Sequence, residues 1–258
     1  MIVYGHRGAK GEAPENSLAG FRHAFRHGVR HFELDLVLSQ DGKPVIIHDL
    51  TVDRTTGKTG GVHNFTAAEL ADMDARRNTI AWPSKAGVPS LEDLLNEFPD
   101  LEHLQLEVKK DARHRLNVLC NRIIEVIQRR NLYSQAVVTS SDAWFLRQVR
   151  RRDRKVKIGL VTDKKFPRPV NVAARLHCDF VCLGWKICTR KLVEDAHQRD
   201  MKVSTWTVNR IHDMLCLEAM GVDSIITDYP TSTRMFFDNR SGNSLRLATG
   251  ANRESATR

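Results

Sequence analysis

No apolar run in this chain approaches the roughly 20 residues that a membrane-spanning helix requires. The opening segment, Met1-Ile2-Val3-Tyr4-Gly5-His6, has neither the basic stretch nor the apolar stretch of a secretion leader and goes straight into a strand-like run. Cysteines are few and odd in number: Cys120, Cys178, Cys182, Cys188 and Cys216 show no zinc-like pairing. They read as free thiols acting as small hydrophobes, kept reduced in the cytosol. No RNP-like or zinc-finger pattern occurs, so no nucleic-acid partner is expected. These absences argue against stable membrane insertion and make a cytoplasmic location the expectation. They leave the oligomeric state open.

What is present fits one globular domain. The 258 residues suit a single large α/β core, and a hydrophobic content of 41% is ordinary for one. Forty Lys and Arg against 31 Asp and Glu give a net charge of +9, which favours anionic partners such as phosphate esters. Part of that excess lies in the run Arg147 to Lys157, which reads as a solvated helix face and the loop after it.

Short β-branched or apolar runs alternate with longer amphipathic ones, the pattern of βα units on a parallel sheet. Eight strands are expected, at Ile2–Tyr4, Phe32–Leu38, Leu104–Val108, Ala136–Thr139, Val156–Val161, Phe180–Leu183, Val203–Val208 and Ser224–Thr227. Eight is the number that closes a TIM-type (β/α)8 barrel. Between them, Leu18, Phe21 and Phe25 form a helical stripe ended by Gly28, Ser90 can cap a helix over Leu91–Phe98, and Asn209 can cap the one that ends before Gly221. An extra strand, Pro44–His48, follows the second after too few residues for a parallel crossover. Asp41-Gly42 suits a hairpin. If those two residues are the turn, residue 40 pairs with 43 and His48 falls opposite Asp35. Residues 50–87 interrupt the barrel rhythm as an insertion that includes a capping box, Thr66-x-x-Glu69. The domain is expected to end near residue 236, with a polar, basic and disordered tail over 237–258.

Active sites of such barrels lie at the C-terminal ends of the strands. There the first strand ends in Gly5-His6-Arg7-Gly8, where the glycines allow close backbone approach to a ligand, Arg7 suits phosphate oxygens and His6 can move protons. Glu33 and Asp35 share one face of the second strand by the period of two. Two inward carboxylates are costly unless compensated, and a hard divalent cation such as Mg2+ or Ca2+ compensates them. Glu107 on the third strand can complete the ligand set, and Lys109 on the same face can stabilise charge on a phosphate. His48 ends the hairpin strand beside the acids, as acid/base or as metal ligand. Trp206 can wall an apolar part of a substrate, or be a plain core tryptophan. Asp228 ends the last strand and reads as structural. Together the set describes phosphoryl chemistry.

These motifs, in this order, resemble the glycerophosphodiester phosphodiesterases. The matching text is GHRGAKGEAPENSLAGF at 5–21, FELDLVLSQDGKPVIIHDLTVDRTT at 32–56, VPSLEDLL at 88–95, LQLEVK at 104–109, TWTVN at 205–209 and GVDSIITDYP at 221–230. Ser17 stands where threonine is common and Val108 where isoleucine is; neither touches the chemistry. The resemblance implies a TIM barrel that hydrolyses a small glycerophosphodiester, such as glycerophosphocholine, to glycerol 3-phosphate and an alcohol. It implies His6 and His48 as the acid/base pair and Glu33, Asp35 and Glu107 on one divalent cation, Mg2+ or Ca2+. Arg7 and Lys109 would contact phosphate, with Trp206 a wall of the pocket. Lysophospholipase D-like and sphingomyelinase D-like relatives share this architecture, so a lipid substrate is the alternative. A non-catalytic barrel that binds phosphate esters or nucleic acid is a further one, against which stands the presence of every histidine and carboxylate.

Overall fold

The computed structural model describes residues 1–79 and 81–251. Its strands are β1 (Ile2–His6), β2 (His31–Leu38), β3 (Pro44–Ile46), β4 (His103–Val108), β5 (Ala136–Ser140), β6 (Lys157–Thr162), β7 (Phe180–Gly184), β8 (Lys202–Trp206) and β9 (Ser224–Thr227). Its helices are α1 (Leu18–Arg26), α2 (Asp53–Thr56), α3 (Ala67–Ala71), α4 (Leu91–Glu97), α5 (Arg113–Arg129), α6 (Ala143–Arg152), α7 (Pro169–Arg175), α8 (Arg190–His197), α9 (Ile211–Ala219) and α10 (Pro230–Ala251). All strands but β3 pair in parallel, in the order β1-β9-β8-β7-β6-β5-β4-β2, and β1 pairs with β2 to close the cylinder. The eight expected strands are therefore the staves of a (β/α)8 barrel.

Alternation along each stave sorts its side chains into two cores. Phe32, Leu34 and Leu36 point outward and pack with α-helical residues such as Phe21, Leu116 and Ile123 in the main hydrophobic layer. Val137, Val161, Phe180 and Cys182 form a separate small cluster with Trp206 against it. A third cluster, with Val45, Ile47, Val62 and Leu70, buries the underside of the segment between β3 and α4. This segment carries α2, a one-turn 3-10 helix at Val62–Asn64, and α3.

Local signals place most helix starts. Ser17 accepts from Gly20 N–H at the start of α1, and Ser90 and Thr66 each form full capping boxes with Asp93 and Glu69. The arginine run occupies the last turn of α6, where cations meet the negative end of the helix dipole. Arg150 there bonds to Asp179 at 2.7 Å.

Three expectations are corrected. The hairpin register is one residue off: Leu38 pairs with Pro44 and Leu36 with Ile46, so Ile47, not His48, donates its N–H to the Asp35 carbonyl, at 3.1 Å. The cause is a three-residue loop in which Ser39 N–H reaches the Lys43 carbonyl and Gly42, at φ 72°, takes the left-handed position. Second, Asn209 caps no helix; Arg210 holds the cap position of α9 without a side-chain bond, because Asn209 is engaged elsewhere. Third, the chain does not become irregular at 237. Pro230 starts α10 with its fixed φ, Phe237 packs on the main core, Arg240 pairs with Glu218 at 2.5 Å, and the helix runs to Ala251. Residues 252–258 of the expected tail lie outside the described residues.

Candidate active site

β2 and β4 lie side by side with Asp35 opposite Glu107 and Glu33 opposite Gln105. The period of two turns Glu33, Asp35 and Glu107 to the same interior face. One carboxylate oxygen from each of the three lies within 4.8 Å of the others. Glu33 is 4% exposed and Asp35 1%.

Charge sorts the triad. Asp35 is held by cations on both oxygens: Lys109 Nζ lies 2.7 Å from one, and Arg7 Nε (3.0 Å) reaches the other, to which Asn16 Nδ2 also donates (2.8 Å). Burial alone would raise its pKa, but Lys109 and Arg7 outweigh burial and hold it below the usual carboxylate range. Glu107 pairs with Lys109 at 2.8 Å, yet burial still pushes its pKa up. Glu33 is the extreme case. Burial, then the neighbouring Asp35 and Glu107, drive its pKa well above the ordinary value. One of its oxygens, Oε1, is buried with no hydrogen-bond partner. Two cations, Arg7 and Lys109, thus face three acids, with one carboxylate left uncompensated. Hard oxygen donors with that deficit fit a divalent cation of the magnesium or calcium kind.

Both histidines reach this centre. His6 ends β1 beside Glu33, with Nε2 3.8 Å from Glu33 Oε2. Its Nδ1 lies 2.5 Å from Asp228 Oδ1. An ionised carboxylate only accepts, so Nδ1 carries the hydrogen and Nε2 keeps the lone pair. Asn209 fixes Asp228 in turn, donating from Nδ2 to Oδ2 at 2.8 Å while its Oδ1 accepts the Asp228 N–H at 3.0 Å. Burial pulls the His6 pKa down and Asp228 partly restores it; Asp228 itself is lowered to about 2, burial being outweighed by the bond to His6. His48 follows β3, and its Nδ1 lies 2.6 Å from Asp49 Oδ1. Burial also lowers its pKa, against the attraction of Asp35.

Arg7 sits at φ 50°, a left-handed conformation unusual for a side chain of its size. Its neighbours hold it there: Arg7 N–H bonds to the Glu33 carbonyl at 2.9 Å, and Nη1 to Glu15 Oε1 at 2.9 Å. Glu15, nearly buried, also takes Arg54 (2.8 and 2.9 Å) and Asn78 (2.8 Å). The flanking glycines serve the turn. A Cβ on Gly5 would stand 2.1 Å from the Gly8 carbonyl oxygen, and one on Gly8, at φ 87°, would stand 3.1 Å from the Gly20 carbonyl carbon and the Phe21 nitrogen in the first turn of α1.

A cavity of about 260 Å³ opens over these groups, lined by His6, Arg7, Glu33, His48, Lys109 and Trp206 among others. Trp206 donates its indole N–H to the Cys182 carbonyl at 3.3 Å. All eight residues singled out from the sequence thus gather at one end of the barrel. Those missed are Asp228 as a partner of His6, Asn209 behind it, and Glu15 and Asn16 behind Arg7 and Asp35. The Pro14-Glu15-Asn16 and Asp228 positions lay within the quoted motifs; a strand-end acid on a barrel was the available signal for Asp228.

A sequence profile of the glycerophosphoryl diester phosphodiesterase family matches residues 6–232. A glycerophosphodiester phosphodiesterase of Caldanaerobacter subterraneus is 31% identical over 230 residues, covering 89% of this chain and 94% of its own. One from Bacillus altitudinis is 26% identical over 88% of this chain and 94% of its own. Among solved structures, an Oleispira antarctica phosphodiesterase in complex with its product sn-glycerol-3-phosphate superposes with a TM-score of 0.82 at 24% identity, over 92% of this chain and 97% of its own. With the barrel, the acid triad and this match along most of its length, the chain belongs to the glycerophosphoryl diester phosphodiesterase family.

Proposed function

We infer that this chain hydrolyses glycerophosphodiesters, such as glycerophosphocholine or glycerophosphoethanolamine, to glycerol 3-phosphate and an alcohol, in the cytoplasm. Its substrate is a small molecule, and no nucleic-acid partner is part of the reading. The observation that carries it is the uncompensated buried carboxylate of Glu33 between Asp35 and Glu107, beside two imidazoles and two cations. Glu33, Asp35 and Glu107 would hold one divalent cation, Mg2+ or Ca2+. When bound, such an ion neutralises phosphate charge and polarises the phosphorus centre.

The chain's own groups do the rest. Arg7, held by Glu15, and Lys109 draw the phosphate oxygens in and stabilise the charge that grows on them. His6 keeps its Nε2 lone pair because Asp228 holds Nδ1, so it can take a proton from the attacking hydroxyl or give one to the leaving alcohol. His48, oriented by Asp49, takes the opposite part. Trp206 closes one side of the cavity and covers the glycerol carbons.

Phosphodiesterase turnover of glycerophosphocholine, followed with and without a chelator, tests this reading. Activity should disappear on chelation and return with Mg2+ or Ca2+, and His6→Ala should lose the roughly 10²–10⁴-fold that a positioned acid or base contributes. An enzyme indifferent to both treatments would refute it.

A further inference from the structure

Beside the catalytic cavity lies a second one of about 330 Å³, framed by the loops that follow β4, β5 and β6. Val161 lines both. Much of the second cavity's wall is apolar, with Leu160, Phe166 and Val172, while Lys110 and Lys164 stand at its edge. The loop between β6 and α7 reads Asp163-Lys164-Lys165-Phe166-Pro167-Arg168, and every one of these residues is exposed. Phe166 is 80% exposed, more than any other large hydrophobic side chain among the described residues.

A lone exposed phenylalanine is ordinary. This one stands on the catalytic face, forms part of an apolar hollow and is bracketed by cations. Lys110, Lys164, Lys165 and Arg168 have no acidic partner among the described residues. The acid of the same loop, Asp163, lies against Gly184 at the loop's base. An aromatic ring that can enter an apolar layer, surrounded by unpaired cations at the level of phosphates, has the composition of an interfacial contact. The chain's net charge of +9 adds a long-range attraction of the same sign.

We propose that the β6–α7 loop docks the catalytic face onto anionic lipid surfaces, with Phe166 entering the apolar layer and Lys110, Lys164, Lys165 and Arg168 meeting lipid phosphates. The partner is a lipid surface rather than an acidic protein because the loop joins its cations to an exposed ring beside an open apolar cavity. Docking needs no turnover and stands apart from the hydrolytic reading.

The test is co-sedimentation of the full chain with vesicles of phosphatidylcholine alone and of phosphatidylcholine mixed with phosphatidylglycerol. Binding should require the anionic lipid and weaken with salt. Lys164→Gln with Lys165→Gln should weaken it by roughly 25-fold, about fivefold per cation removed. Phe166→Ser should abolish the part that survives high salt. Both variants should hydrolyse glycerophosphocholine like the parent, which shows that they fold. Absence of binding to anionic vesicles, or equal binding by parent and variants, overturns the proposal. So does a Phe166-dependent dimer in analytical ultracentrifugation without vesicle binding, which would give the patch to a second copy of the chain.

Discussion

A buried carboxylate with one oxygen lacking any donor is costly, and Glu33 bears that cost between two further acids. Asp35 shows what compensation looks like at the same depth: two cations and an amide surround it. The difference between these neighbours is the strongest single-residue argument for a cation. The imidazole of His6 depends on a residue far along the chain. Asp228→Asn should lower kcat by up to the roughly 10²–10⁴-fold that the imidazole contributes, with little change in KM. It should also move the acid limb of the pH profile down, since Asp228 raises the His6 pKa against burial. Asp228→Glu should recover part of both; an unchanged pH profile would leave Asp228 a merely structural role. Glu15 predicts a pH effect on stability. Its pKa is lowered to about 2, burial being outweighed by Arg54 and Arg7. Such a group stabilises the fold above its unfolded value and loses that contribution as pH falls from about 4.5 toward 2. Thermal or denaturant unfolding should show Glu15→Gln less stable by up to about 3 kcal/mol at neutral pH. The gap should close in acid; a constant gap would show that the charge of Glu15 is not what matters. At this scale the period of two made the triad readable, because Glu33, Asp35 and Glu107 each needed only their own strand. The His6–Asp228 and Arg7–Glu15 pairs were not readable, since each depends on how separate segments meet in space.

At the scale of elements, capping residues and turn chemistry carry most of the information. Ser90 and Thr66 cap α4 and α3 as their spacing implies, because a capping box is closed within four residues. Ser90→Ala should cost about 1 kcal/mol of unfolding free energy, with activity unchanged. The hairpin was readable as a hairpin but not in register. Asp41-Gly42 permits both a two-residue and a three-residue loop, and Ser39 decides between them through its hydroxyl bonds to Asp41 and Lys43. Asn209 shows the same limit: a good capping residue is drawn to Asp228 and Thr227 instead. The segment between β3 and α4 has its own small core around Leu70. Leu70→Ala should cost about 2–5 kcal/mol, the usual range for emptying a closed apolar site. Since Arg54 and Asn78 in that segment hold Glu15, which holds Arg7, the same substitution should raise KM in the diesterase assay. An unchanged KM would detach this segment from substrate binding.

At the scale of the whole molecule, closure of the barrel is what turns separate strand ends into one site. Residues on β1, β2, β4 and β8 reach one cavity only because β1 pairs with β2 and completes the ring. Eight strand signals separated by helical ones were enough to anticipate this architecture. α10 was harder to anticipate: its sequence lacks an apolar stripe, and contacts made by Phe237 and Arg240 fix where it lies. The central claim is that the closed ring brings three acids onto one cation. Titration calorimetry with Mg2+ and with Ca2+ on metal-free protein tests it most directly. One ion should bind per chain, more weakly as pH falls, because carboxylates must be ionised to serve as ligands. Glu33→Gln and Glu107→Gln should each weaken binding by at least the roughly tenfold to hundredfold that even outer-shell partners of a metal cost. Binding of equal strength in the parent and both variants, or no binding by the parent, would contradict the account.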